Sequence, residues 1–278
     1  MRQIARAMEV ARSNLAERIS PVKKPRPKRY SKADDGWLLE MIRNIAAARP
    51  TYGYRRVTVL LNLELKSAEK TTVNHKRIYR IMKTAGLLLQ RHTGKPNRTH
   101  DGKVITLHSD TRWCSDAFTI QCWNAERVHV AFSLDTCDRE AIRYIASTIG
   151  VDGLMVRDLM IETVEARFGA PMAPKRVQWL TDNGPAYIAN QTVETARRLN
   201  LEPCTTPSYS PESNGMAEAF VKTFKRDYVW SADLSSAMVV MGQLEKWFND
   251  YNENAPHKGL KMLSPRQFRR EMEQKRTG

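Results

Sequence analysis

Three acidic residues fall where a carboxylate is either out of place or well aimed. Asp116 interrupts the apolar run Trp113-Cys114-Ser115-Asp116-Ala117-Phe118, Asp182 follows Trp179-Leu180-Thr181 and opens Asp182-Asn183-Gly184, and Glu218 sits in Asn214-Gly215-Met216-Ala217-Glu218-Ala219-Phe220. An acid within an apolar strand loses solvation unless a cation or hydrogen-bond donors meet it. The carboxyl end of a strand is where open α/β sheets present ligands. Singly, each acid has an ordinary explanation: a cap or ion pair, a turn tripeptide, a complement to the helix dipole. As an ordered set they are more specific, because two strand acids and one helix acid can converge at a sheet edge. Hard divalent cations prefer such oxygens. Two of them about 4 Å apart activate the attacking oxygen and stabilise the leaving oxygen of a phosphodiester, with no serine or tyrosine nucleophile. Asp135, Asp138, Glu212 and Asp227 are decoys; Asp135, which ends the second strand, is the best of them.

Beside the helix acid, Lys222, Lys225 and Arg226 follow Glu218 at i+4, i+7 and i+8 on one helical face. That stripe sets cations for backbone phosphates next to a metal carboxylate; the plainer reading is a Glu–Lys helix pair worth a few tenths of a kcal/mol. Soft-metal chemistry has no comparable support. The four cysteines, Cys114, Cys122, Cys137 and Cys204, form no CxxC pair and have no histidine partners in sequence, which also argues against a disulfide scaffold.

The elements that must position these residues are readable from periodicity. Strand-type runs cover Trp113–Ile120, Val128–Asp135, Ala141–Thr148, Val177–Leu180 and Glu202–Thr206. Helical patterns cover Val156–Phe168, Ile188–Leu199, Met216–Tyr228 and Met238–Tyr251. The order β-β-β-α-β-α-β-α-α predicts an α/β domain. Ahead of it the pattern is helical: Trp37, Leu38, Met41, Ile42 and Ile45 form a stripe, Val57–Leu63 a second helix and Asn74–Ala85 a third. The third carries Lys76, Arg80 and Lys83 on a face of its own, suited to duplex DNA.

The 278 residues carry 45 Lys and Arg against 30 Asp and Glu, a formal charge of +15. The excess is in the arms, since residues 104–252 hold 14 cations and 19 acids. Basic arms suit a polyanion. The expected organisation is a partial helix-turn-helix remnant at 1–20, a basic Pro-rich linker at 21–32 and a helical DNA-binding domain at 33–90. A basic linker at 91–112, a catalytic core at 113–252 and a basic C-terminal tail at 253–278 complete it. The first linker contributes Lys23, Lys24, Arg26, Lys28 and Arg29 as DNA contacts. A mean hydropathy of -0.54 and the lack of a long apolar run argue against a membrane span or secretory signal.

The motifs Trp113-Cys114-Ser115-Asp116, Leu180-Thr181-Asp182-Asn183-Gly184 and Ser210-Pro211-Glu212-Ser213-Asn214-Gly215-Met216-Ala217-Glu218 through Tyr228 resemble those of the DDE transposase and retroviral integrase superfamily; 35 residues separate Asp182 from Glu218. Thr51-Tyr52-Gly53-Tyr54-Arg55-Arg56 and Lys76-Arg77-Ile78-Tyr79-Arg80-Ile81-Met82 resemble the helix-turn-helix region of bacterial insertion-sequence transposases encoded in a second reading frame. Tyr251-Asn252, Pro256-His257 and Ser264-Pro265-Arg266 resemble their ends. The resemblance implies an RNase H-like mixed five-stranded sheet, with Asp116, Asp182 and Glu218 as catalytic ligands of two Mg²⁺ (or Mn²⁺) ions. It implies Asn183 and Gly184 shaping the site, and Lys222 and Lys225 contacting the element end; Arg226 on the same helical face, and Arg55 and Arg56, are further candidate DNA contacts. The implied activity is cleavage and strand transfer at mobile-element ends, first with water and then with a DNA 3′-hydroxyl. The implied partners are double-stranded DNA, as terminal inverted repeats and target, further copies of the chain, and an upstream reading-frame product. The implied setting is the bacterial cytoplasm at the nucleoid. No His-His-Cys-Cys zinc module of the retroviral kind is present. Two rivals stay open on the residues alone: a nuclease of the same fold that does not join ends, and a DNA-binding regulator without catalysis.

Overall fold

The computed structural model describes residues 2–10, 35–90, 106–205 and 214–277. The chain divides into two compact units, Met1–Met41 and Ile42–Gly278. In the first lie helix α1 (Arg2–Ala7) and the start of α2 (Asp35–Ala48). The basic linker at 21–32 and most of the region 8–20 lie outside the described residues.

The second unit continues α2 and adds α3 (Tyr54–Ser67) and α4 (His75–Thr84), as the periodicity predicts. Asn74 caps α4 by accepting the Lys76 N–H at 2.9 Å. Asn62 on α3 exchanges two hydrogen bonds with the Val73 backbone, fixing the α3–α4 turn. Val57, Leu61, Leu65, Ile78 and Met82 are buried between these helices.

The sheet is mixed and five-stranded. It comprises β1 (Arg112–Gln121), β2 (Arg127–Asp135), β3 (Ala141–Ser147), β4 (Val177–Thr181) and β5 (Leu201–Thr205) in the order β3-β2-β1-β4-β5. β1–β2 and β2–β3 are antiparallel; β1–β4 and β4–β5 are parallel. Connecting and covering helices are α5 (Gly153–Phe168), α6 (Pro185–Ile188), α7 (Asn190–Arg198), α8 (Gly215–Phe224), α9 (Ala237–Asn254) and α10 (Pro265–Thr277). A π-helical segment, Lys225–Val229, extends α8.

Side chains alternate across a strand, so the sheet builds two cores. Cys114, Phe118 and Ile120 of β1 join Val130 and Phe132 of β2 under Phe220, Phe224 and Phe248 of α8 and α9. On the opposite face Trp113, Ala131 and Trp179 meet Val156, Leu159 and Met160 of α5 and Ala196 of α7. The even-numbered residues of β1 and β4 therefore face α8. Both strand acids are even-numbered.

Two expectations change. The helix predicted over Ile188–Leu199 is two helices, because Ala189 leaves helical geometry (φ −55°, ψ 137°). The basic C-terminal tail is a helix, α10, docked by ion pairs. Arg266 and Arg269 reach Glu140 at 2.8 and 3.2 Å, and Arg266 and Arg270 hold Glu253 at 3.1 and 2.8 Å.

Candidate active site

The β1–β4 register aligns Trp113 with Trp179 and Cys114 with Leu180, where the ladder ends. Asp116 within β1 and Asp182 just past the end of β4 each lie two residues beyond that last pair. β1 is the central strand, with chain excursions leaving it to opposite sides, so this is the crevice where open sheets bind ligands. β1 stays paired to β2 at this level, Asp116 opposite Phe132.

Asn214, the residue before α8, brings the third acid. It is buried, and its Nδ2 donates to the Ser115 carbonyl at 3.3 Å, fastening the start of α8 beside Asp116. Ala217, Phe220 and Phe224 anchor α8 to the sheet, leaving Glu218 half-buried next to them. Asp116 is half-buried, with Oδ1 accepting the Ala117 N–H at 2.7 Å. Asp182 is exposed; its Oδ1 accepts the Gly184 N–H at 3.0 Å as the chain turns into α6. A Cβ on Gly184 would stand 3.0 Å from that oxygen, so only glycine leaves the carboxylate undisturbed.

Electrostatics tie the three together. The Asp116 carboxyl is pushed up to about 6, foremost by burial; the Ala117 N–H opposes, and the Asp182 and Glu218 carboxylates add to the rise. Lys222, largely exposed, pairs with Glu218 at 3.6 Å. As placed, no three Asp, Glu, His or Cys side chains among the described residues stand close enough together to hold a metal ion.

The rival acids are engaged elsewhere. Asp135 and Asp138 are fully buried around Arg167, whose guanidinium also takes Asp110 and Glu140. Asp135 ends β2 opposite Trp113, on the sheet face away from Asp116. Asp227 is buried in a separate cluster. Glu212 lies outside the described residues.

The cation assignments separate. Lys222 makes the plain helix pair with Glu218. Lys225 lies 5.6 Å over the Phe118 ring, on the Asp116 face of β1, and burial weakens its hold on its proton. Arg226 does not present a free guanidinium: it chelates Asp227 at 2.7 and 3.0 Å. Arg56 is likewise turned inward, 2.8 Å from Asp227 and stacked 3.4 Å over Tyr52. Arg55 is exposed and donates to the Tyr54 hydroxyl at 3.1 Å. Lys76 and Lys83 are exposed on α4, and Arg80 is half-buried there. Lys23, Lys24, Arg26, Lys28 and Arg29 lie outside the described residues. Asn183 is exposed at the rim, next to Asp182. The sequence reading assigned no role to Asn214, Arg167 or Tyr52. A polar residue just ahead of an apolar helix was the available signal for Asn214; nothing local marks the other two.

Comparison with known proteins follows the same division. Residues 32–95 match an HTH-like domain, and residues 107–211 and 199–265 match two integrase core domain models. Transposase InsD for insertion element IS2A/D/F/H/I/K of Escherichia coli is 44% identical over 246 residues, covering 88% of this chain and 82% of that protein. Transposase InsD for IS2-9 of the K12 strain is 44% identical over the same length, with 80% of it covered. Among solved structures, a chain of the simian T-cell lymphotropic virus intasome superposes with a TM-score of 0.49 at 14% identity, over 82% of this chain and 73% of that one.

Proposed function

This chain belongs to the family of insertion-sequence transposases represented by InsD of IS2, DNA transposases of the DDE polynucleotidyl-transferase type, and from that premise we propose that Asp116, Asp182 and Glu218 are its catalytic metal ligands. The observation that supports the assignment is the β1–β4 register, whose last pair, Cys114 with Leu180, precedes each aspartate by two residues, while Asn214 fastens the Glu218 helix to Ser115.

The donor set fits hard divalent cations. It is all carboxylate, and the Asp182 and Glu218 carboxylates add to the rise that burial causes at Asp116. Like charges repel, so the trio draws together only when opposite charge is supplied. Two Mg²⁺ or Mn²⁺ ions, when bound, supply Lewis-acid activation of the attacking oxygen and stabilisation of the leaving oxygen. The remaining work belongs to the chain. The Gly184 N–H orients Asp182, and the aromatic packing of α8 holds Glu218 over the sheet edge. Lys222 and Lys225 face the phosphates of the element end, and Asn183 and Gly184 shape the rim. The reaction is in-line phosphoryl transfer, with water as the first nucleophile and the exposed DNA 3′-hydroxyl as the second, and no protein–DNA bond forms.

On this reading residues 33–90, with Lys76, Lys83 and Arg55 outward, bind the terminal inverted repeats, joined by the basic linker at 21–32. Residues 113–252 form the catalytic core. Two element ends require further copies of the chain, and an upstream reading-frame product completes the assembly on nucleoid DNA. Among the described residues no helix is long and apolar enough to cross a membrane.

The test uses Asp116→Asn, Asp182→Asn and Glu218→Gln on duplexes with intact and pre-cut ends. Duplex affinity stays within about threefold, while cleavage and joining fall by about 10²–10⁴, the several kcal/mol that metal catalysis supplies at 1.36 kcal/mol per decade. Joining of the pre-cut end by the Glu218→Gln protein at more than a tenth of the wild-type rate overturns the assignment.

A further inference from the structure

The Thr51-Tyr52-Gly53-Tyr54-Arg55-Arg56 segment, which the sequence aligned with DNA reading, is spent largely on the protein itself. Asp227, in the π-helical extension of α8, has a side chain only 1% exposed. It accepts the Thr51 hydroxyl at 2.7 Å, Arg56 Nη1 at 2.8 Å, and Arg226 Nε and Nη2. Burial works against its charge, but Arg226, Arg56 and Thr51 more than offset that and keep its carboxyl below the usual range. One residue on, the Tyr228 hydroxyl donates to Asp250 of α9 at 2.8 Å, and Asp250 also holds Arg49 at 2.5 Å. Tyr52, buried between them, lies under Arg56. The corner from α2 to α3 is therefore held directly by Asp227 and, through Asp250 of α9, by Tyr228. A π turn is rare and often marks a functional position in a helix.

Resting on the assignment of Glu218 above, we propose that Asp227 is a positioning residue: by gripping Thr51 and Arg56 it fixes the far end of the helix that carries Glu218, so that docking of the α2–α3 corner sets where the catalytic carboxylate stands. The upstream end of α8 is already held by Asn214 at Ser115, and Phe220 and Phe224 pack along its length. Asp227 is nine residues beyond Glu218 and supplies the last fixed point. A domain that grips element DNA is thereby wired to the catalytic helix through two polar contacts, from Thr51 and from Arg56 to Asp227.

The full-length protein serves for the test, with Asp227→Asn, Arg56→Met and the double variant. Amide hydrogen exchange is read along α8. Mn²⁺ binding is followed by electron paramagnetic resonance, and element-duplex affinity and joining of a pre-cut end at saturating DNA are measured. Asp227→Asn should speed exchange across Gly215–Phe224 at least tenfold while β1 and β4 stay protected. The Mn²⁺ half-saturation should rise about tenfold, in the range for residues that orient metal ligands from behind. Joining should fall at least tenfold with duplex affinity within threefold. The double variant should be no worse than the more severe single, as expected for one shared contact. Unchanged exchange in α8 and unchanged Mn²⁺ binding in both single variants overturn the proposal. So does an Arg56→Met protein that loses duplex affinity yet joins bound ends normally, since Arg56 is then a DNA contact. If Asp227→Asn does not fold, Arg56→Met decides by the same readouts. Failure of the underlying assignment shows separately, as Glu218→Gln with wild-type Mn²⁺ binding.

Discussion

Arg167 is the cation on which a buried acidic cluster depends. Its side chain is 1% exposed and lies 2.6 Å from Asp138, 2.6 Å from Asp110 and 2.5 Å from Glu140, with Asp135 at 3.4 Å. Arg167→Met keeps most of the volume and removes the charge. Glu140 retains Arg266 and Arg269. Asp135 retains N–H donors from Asp110, Cys137 and Trp113. Asp138 loses the guanidinium from Oδ2 and keeps only the Glu140 N–H on Oδ1. Stripping one partner from a buried pair costs 3–5 kcal/mol; with those donors retained the expected loss is about 3–4 kcal/mol. At 2–4 °C per kcal/mol for a unit of this size, Tm falls by about 6–16 °C.

The loss also depends on pH. Burial first, and Asp138 second, push the Asp135 carboxyl up to about 7, with Arg167 opposing. A folded-state value above the unfolded one means the fold favours the protonated acid, so the associated stability is present at acid pH and is lost as pH rises toward 7. Without Arg167 the carboxyl climbs further, and the deficit relative to wild type is larger at pH 8 than at pH 5. Thermal unfolding by circular dichroism at pH 5, 6, 7 and 8 measures both effects. A Tm within 3 °C of wild type at every pH refutes the reasoning.

Gly184→Ala places a methyl 3.0 Å from Asp182 Oδ1 at a backbone angle (φ −61°) that alanine adopts freely; joining should fall about tenfold with Tm within about 2 °C, and normal joining would show that the Gly184 turn does not set the carboxylate. His257 is half-buried and its pKa is lowered to about 3, first by desolvation and then by Arg139 and Arg56. A depressed folded value means stability is lost as pH falls below the unfolded value near 6.5, by at most about 2 kcal/mol at pH 5 at 1.36 per unit. His257→Gln should remove that acid-labile part, narrowing the wild-type stability gap between pH 8 and pH 5 in urea unfolding; an unaltered gap places the acid sensitivity elsewhere.

The strands were legible because a two-faced sheet writes its alternation into the chain: the run predicted over Val128–Asp135 is β2 over Arg127–Asp135. The acids at 116 and 182 were legible for the same reason, as polar residues breaking or ending apolar strands. What escaped the sequence reading depends on partners far along the chain. Asp135 and Asp138 look like ligands until Arg167, about thirty residues later, is seen between them. Arg56 looks like a DNA contact until Tyr52 and Asp227 are brought against it. α10 looks like a tail because its composition is polar and basic, and its docking rests on arginines finding Glu140 and Glu253. Charge types are visible in a sequence, but which opposite charge each one meets is decided by packing.

The docking of α10 bears on the order of assembly during synthesis. Glu140 meets Arg266 126 residues after it is made. A nascent chain can lay down its strands and bury Arg167 against its neighbours, yet this turn stays short of two guanidinium groups until α10 clears the ribosome. Domains fold as units while they emerge, and here the turn after β2 is completed only once α10 has emerged, so a product that stops before Arg266 would carry an acid at that turn stripped of two of its three cations.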